Sequence, residues 1–124
     1  MNCYCGASKL FSNCCEPYFL GNKKPETCLQ LMRSRYAAYS IHNADYLLAT
    51  THMSERGNYS ITQILDWAIS NSWQKLEIIS FSESTVEFKA YYLDGNLKAQ
   101  IHHEKSTFKK VDGNWFYVYG AFLN

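Results

Sequence analysis

The sequence predicts an α+β protein: three helices followed by a four-stranded antiparallel sheet, with a short cysteine-held unit in front. Three observations carry that expectation. Four of the five cysteines, Cys3, Cys5, Cys14 and Cys15, crowd into the start of the chain. Apolar residues then recur at three- and four-residue spacing up to about residue 70, which is the helical period. Beyond Trp73 the period drops to two, and Asp94-Gly95-Asn96 and Asp112-Gly113-Asn114 supply hairpin turns.

The first unit is expected over residues 1–24. It is punctuated by Gly6, Pro17 and Gly21 and ends in the loop-forming run Gly21-Asn22-Lys23-Lys24-Pro25. It has few apolar residues with which to build a core. Cys-x-Cys, then eight residues, then Cys-Cys offers four thiolates to one tetrahedral ion, and Zn²⁺ is the metal such a closed all-sulfur set takes. Gly6 lets the chain turn directly behind Cys5. Adjacent cysteines point apart in a strand, so Cys14 and Cys15 can share an ion only if residues 11–17 form a turn or a helix start. A disulfide such as Cys5 to Cys14, or plain reduced thiols, is the competing expectation.

The second unit is expected over residues 25–124. Its first helix is placed from Pro25 to about Ser40, with Cys28, Leu31, Met32, Arg35, Tyr36 and Tyr39 on the apolar stripe. A short helix follows from about Asn43, carrying Tyr46 and Leu47. Ser60 and Gln63 give a capping signature for a third helix to about Ser70, with Ile61, Ile64, Leu65, Ala68 and Ile69 as its apolar face. Strands are placed at 73–82, 85–93, 97–111 and 115–122. The second alternates Val86, Phe88, Ala90 and Tyr92 against Thr85, Glu87, Lys89 and Tyr91.

Composition bounds the rest. At 124 residues and 47% hydrophobic, the chain has material for one core, and ten tyrosines suit strands with one wet and one packed side. Twelve basic against eleven acidic residues give a formal charge of +1. Only Lys23-Lys24, Arg33 to Arg35 and Lys109-Lys110 are dense in positive charge, so a nucleic-acid partner is weakly supported. No apolar run reaches membrane-spanning length and no signal-peptide pattern opens the chain, so a cytoplasmic protein without a membrane partner is expected. Reduced thiols are the rule there, which favours metal over disulfide.

The cysteine spacing resembles the SEC-C motif, a small zinc knuckle. Downstream, Pro17-Tyr18, Leu31-Met32-Arg33-Ser34-Arg35-Tyr36, Asp45-Tyr46-Leu47-Leu48, His52, His103-Glu104 and Gly113-x-Trp115-x-Tyr117 resemble the YchJ-like family of uncharacterised bacterial proteins. The resemblance spans nearly the whole chain. It implies a knuckle followed by a nuclear-transport-factor-2-like (NTF2-like) domain, a cone of helices on a curved four-stranded sheet. Tyr4, Ala7-Ser8, Glu16, Thr51, Met53 and Thr107 depart from the family's usual residues. By family analogy the knuckle implies an adaptor that binds a macromolecular partner, a protein rather than nucleic acid.

The implied cone has a pocket that can hold a small ligand. Its candidate polar residues are Arg33, Arg35, Tyr36, Tyr39, His52, His103 and Glu104. His103 and Glu104 point to opposite faces of one strand. Alternation with Leu97, Ala99 and Ile101 places His103 on the face expected to be buried, where a lone histidine is ordinarily a hydrogen-bonded core residue. Arg35 is expected to be buried and paired with an acid such as Glu104 or Asp45. No Ser/His/Asp order, phosphate-binding glycine loop or paired carboxylates occur, so a non-enzymatic protein is favoured and no catalytic residue is assigned. Cys28 is expected to pack rather than react.

Overall fold

A computed structural model of the chain describes residues 2–123; Met1 and Asn124, the outer limits of the two expected units, lie outside the described residues. The order of elements is a 3₁₀ turn (Phe11–Asn13), α1 (Glu16–Phe19), α2 (Cys28–Ser40), α3 (Ala44–Ala49), α4 (Met53–Arg56), α5 (Ile61–Ser70), then β1 (Ser72–Phe81), β2 (Thr85–Leu93), β3 (Ala99–Val111) and β4 (Asn114–Phe122). The strands form one antiparallel meander in sequence order. This is the α+β, helices-on-a-curved-sheet architecture that the sequence predicts.

Side-chain caps set the helix starts. Thr27, Asn43 and Ser60 accept backbone N–H groups of Gln30, Tyr46 and Gln63, each satisfying a donor that has no partner inside the helix. α2 therefore begins at Cys28, and Pro25 precedes it rather than opening it. α4 has no counterpart in the expected elements. It is one turn, capped by the His52 ring accepting from Ser54 N.

The sheet owes its curvature to three irregularities in register. Two lie in β1, around Gln74 and Ile79, and one in β4, where Val118 is inserted between Tyr117, opposite Phe108, and Tyr119, opposite Thr107. The insertion lets Tyr117 and Gly120 both face the helices. The β3–β4 turn holds Asp112 and Gly113 at φ 52° and 81°, the left-handed pair of a two-residue hairpin. Leu97, also left-handed at φ 60°, belongs to the preceding turn, so β3 starts at Ala99.

The main core lies between α2 and the concave face: Leu31, Met32 and Tyr36 meet Leu76, Val86, Phe88, Ala90 and Phe108. Cys28 is buried in the same cluster, its thiol beside the Ser82 carbonyl, in a packing position. A second, smaller core consists of Cys3, Cys5 and Cys15 with Ala37 of α2. No described helix is long and apolar enough to cross a membrane.

Candidate metal centre and cone cavity

The N-terminal unit is a hairpin followed by a helical turn. Asn2 and Leu10 form an antiparallel bridge, Cys3 N donates to Lys9 O at 2.7 Å, and Gly6, at φ 86°, donates back to Cys3 O. Cys14 closes the 3₁₀ turn and Cys15 is the N-cap of α1, so the adjacent pair sits at the helix start that joint ligation demands. The four sulfur atoms all lie within 4.8 Å of one another, and all four cysteines are free thiols. A divalent ion with metal–sulfur bonds of about 2.3 Å at the centre of a tetrahedron needs sulfurs about 3.8 Å apart. The Cys5–Cys14 and Cys14–Cys15 separations, 3.6 and 3.9 Å, bracket that value.

The electrostatics of the cluster ask for a cation. The hydrogen bond from Cys15, with lesser ones from Cys14 and Cys3, brings the Cys5 thiol down to about 5 against the opposing effect of burial. Burial, then the hydrogen bond and charge of Cys5, push Cys14 up to about 12, and its hydrogen bond with Cys5 drives Cys15 up as well. One thiolate thus suppresses its neighbours. A central divalent ion removes that conflict by stabilising all of them as thiolates. The donor set, its spacing and its electrostatics therefore fit a bound metal ion.

The knuckle is not free of the cone. Arg33 donates from Nη1 to Cys5 O at 2.9 Å, Ala37 closes the underside of the sulfur cluster, and Phe19 packs edge-on against Tyr46 of α3 at 4.8 Å. Tyr46 in turn shares a 2.6 Å hydrogen bond with Ser34.

On the other side of α2 the cone encloses an open cavity of about 590 Å³. Its aromatic wall centres on Trp73, whose ring lies 5.4 Å from Tyr39, 6.1 Å from Trp67 and 5.0 Å from Tyr92. Its polar floor comprises Arg35, His102, Glu104, Ser106 and Tyr117. Of the residues named from sequence, Arg35, Tyr36, Tyr39 and Glu104 converge here. Arg33, His52 and His103 do not. Arg33 is committed to the knuckle and His52 caps α4 beside Phe116, while His103 lies on the opposite side of the sheet, hydrogen-bonded to Glu87 at 2.9 Å.

The assignment of His103 to the buried face is corrected by the register of β2 and β3. Val86, Phe88 and Ala90 face the helices, and their partners across the ladder are Ser106, Glu104 and His102. The even-numbered residues of β3 therefore face inward, while Ile101 is 58% exposed. Hydrophobic alternation misleads because this stretch borders a cavity rather than a packed core. His102 and Ser106 escape a reading of the sequence for that reason, whereas Trp67, Trp73 and Tyr117 come from α5, β1 and β4 and meet them only in the folded chain. A signal was available: the clean alternation of β2, reflected across the Asp94–Lys98 turn, pairs Ala90 with His102.

Arg35 is 7% exposed and, contrary to expectation, makes no ion pair among the described residues. Its Nη1 donates to Leu47 O at 2.8 Å and Thr50 Oγ1 at 2.7 Å, and its guanidinium lies 4.6 Å from the centre of the Tyr117 ring. Asp45 is solvent-exposed. Glu104 is equally buried. Burial works to raise its carboxyl, but hydrogen bonds from His102 at 2.8 Å and from Ser106, with the charges of His102 and Arg35, outweigh it and hold Glu104 below the usual carboxylate range. Tyr117 OH donates to the same carboxylate at 3.4 Å. Burial keeps the surrounding phenols protonated, with Tyr36 pushed up to about 12 and Tyr39 and Tyr117 shifted in the same direction. Gly120 completes the site, because a Cβ there would overlap the Glu104 carboxylate.

Residues 27–120 match the family described as YchJ, middle NTF2-like domain. The chain belongs to this YchJ-like family. Among its relatives, a UPF0225 protein of Actinobacillus succinogenes is 38% identical over 122 residues, covering 94% of this chain and 79% of the relative. The UPF0225 protein GSU1048 of Geobacter sulfurreducens is also 38% identical, over 95% of this chain and 77% of the relative. The solution structure of RPA3114, a SEC-C motif containing protein from Rhodopseudomonas palustris, superposes with a TM-score of 0.91 at 34% identity, covering 100% of both chains. A crystal structure of a SEC-C motif containing protein from Psychrobacter arcticus gives 0.79 at 26% identity, over 100% of this chain and 84% of that one. The YchJ-like assignment and the SEC-C knuckle thus agree with the resemblance seen in the sequence.

Proposed function

We propose that the protein is a small-molecule binder whose cone is stapled by zinc. The observation that carries this reading is the cavity: about 590 Å³, open, aromatic on one wall, with a buried Arg35 and a buried Glu104 at its floor. Site-sized volume, apolar walls and a few convergent polar groups are what a ligand pocket requires. Zinc fits the knuckle because the donor set is closed and entirely sulfur, and such a thiol cluster suits a reducing, cytoplasmic setting. Titrating the fluorescence of Trp67 and Trp73 with flat aromatic probes such as 1-naphthol tests the pocket. Saturable quenching is expected, and Ala90→Leu, which projects three more carbons into the cavity, weakens it. Quenching unaffected by Ala90→Leu, or none with any probe, overturns the pocket reading.

A second reading retains the knuckle as an adaptor surface for a protein partner. It is favoured by Tyr4, Leu10 and Leu20, large side chains exposed on the N-terminal unit. A pull-down in which the intact protein and a Tyr4→Ser/Leu20→Ser variant recover the same proteins would reject it.

A further inference from the structure

The polar floor of the cavity is arranged as a proton-transfer site. His102 and Glu104 are two residues apart on one face of β3, and His102 Nε2 lies 2.8 Å from Glu104 Oε1. With Glu104 ionised, Nε2 carries the hydrogen and donates it. In the neutral imidazole the lone pair is then on Nδ1, which has no hydrogen-bond partner among the described residues, on a side chain that lines the cavity. Glu104 is itself held on its other oxygen by Ser106 and Tyr117, so the imidazole is oriented by a fixed carboxylate. An imidazole oriented in this way on the wall of a ligand cavity, with its second nitrogen free to accept, is the geometry general base catalysis needs.

The charges around it select the substrate. Among the described residues lining the cavity, Arg35 is the one permanent cation and Glu104 the one carboxylate, so these two charges balance. A neutral ligand enters without adding an unpaired charge. Proton abstraction then creates two charges, and each meets an opposite one already in place: imidazolium against Glu104, and a ligand oxyanion against Arg35. Arg35 Nη1 is held by Leu47 and Thr50, while Nε and Nη2 have no protein acceptor among the described residues and are not sealed in the interior. Such fixed complementary charges favour the ionised state without reorganisation.

We propose that His102 is the general base of a keto–enol proton transfer on a flat, neutral ketone or aldehyde held between the aromatic wall and Arg35. The C–H bond next to the carbonyl breaks and its proton moves to Nδ1. Its electron pair moves into the new carbon–carbon double bond as the carbonyl π pair shifts to oxygen, which faces the guanidinium. Return of the proton to carbon or to that oxygen closes the cycle, so no oxidant, reductant or co-reactant is consumed. His102 is the catalytic residue and Glu104 a positioning residue that acts through it. The inference rests on the cavity being a ligand site.

The test uses 2-tetralone in D₂O, with exchange of its α-hydrogens followed by NMR and its binding followed by tryptophan quenching. Exchange faster than buffer alone is expected. His102→Gln lowers it by about 100-fold or more, as removal of a general base does. Free imidazole restores exchange in His102→Ala, which a purely structural role would not allow, and Glu104→Gln lowers the saturated rate while leaving quenching unchanged. Exchange unaffected by His102→Gln overturns the assignment of the base. Quenching without accelerated exchange overturns the chemistry and leaves the cavity as a binding site. Failure of 2-tetralone to bind where 1-naphthol binds overturns the ketone class alone, whereas failure of both removes the pocket reading with it.

Discussion

The knuckle and the cavity lie on opposite sides of one helix and are built on opposite principles. The knuckle takes its four sulfurs from a stretch of thirteen residues, Cys3 to Cys15, and α2 contributes only Ala37 and the Arg33 hydrogen bond beneath them. The cavity draws Arg35 from α2, Trp67 from α5, Trp73 from β1, His102 and Glu104 from β3, and Tyr117 from β4. A local site can be ordered by one bound ion. A site made of residues distant in sequence needs the whole sheet in register before any of its geometry exists.

That contrast can be broken most forcefully at the knuckle. Cys5→Ser removes one thiol of the four, and because apparent binding energies of structural zinc modules are about 10–16 kcal/mol, metal content is expected to fall to near background. Limited proteolysis should then cut within residues 2–20 while the β1–β4 sheet stays protected. The thermal midpoint of the cone should still drop, since Ala37 and Tyr46 lose their cover. Unchanged elemental zinc would reject the ligand assignment. An untouched midpoint would show the two regions to be independent.

On the cavity side the largest effect is expected from Arg35→Ala. It deletes two charge-assisted hydrogen bonds and the stacking on Tyr117, about 3 kcal/mol in all. Urea unfolding should show it, with an exposed-lysine control such as Lys109→Ala nearly silent. Gly120→Ala should cost about 1–3 kcal/mol by overpacking, because the new methyl occupies the space of the Glu104 carboxylate. A loss of cavity binding larger than the loss of stability would mark Gly120 as a residue that shapes the site. Neither variant should change metal content.

The smallest effect is one of pH. Glu104 ionises more readily folded than unfolded, so its contribution to stability is complete above about 4.5 and disappears as pH falls through its lower folded value. Stability measured downward from neutral pH should therefore fall more steeply for the native protein than for Glu104→Gln. Parallel curves would show that the hydrogen bonds from His102 and Ser106 do not outweigh burial.

Local chemistry made much of this molecule legible before its structure. The cysteine spacing, the helix starts at Asn43 and Ser60, and the turns at Asp94 and Asp112 each act within a few residues, so their consequences can be read along the chain. The sulfur cluster belongs to that class. Pairing between strands does not, and the face of β3 shows why. Its apolar Ile101 points to water and its polar His102, Glu104 and Ser106 point inward, an inversion that hydrophobic alternation along one strand cannot reveal. Only the tertiary register could decide it, because the opposing Val86, Phe88 and Ala90 determine which side is interior. The packing of α3 and β4 around α2 decides that Arg35 meets a tyrosine ring and a carbonyl instead of a carboxylate. The sequence by itself determined the thiol cluster, the change from helices to strands and the order of strands. Which polar groups share a cavity was left to the tertiary fold, since contacts between distant segments depend on how sheet and helices close around one another.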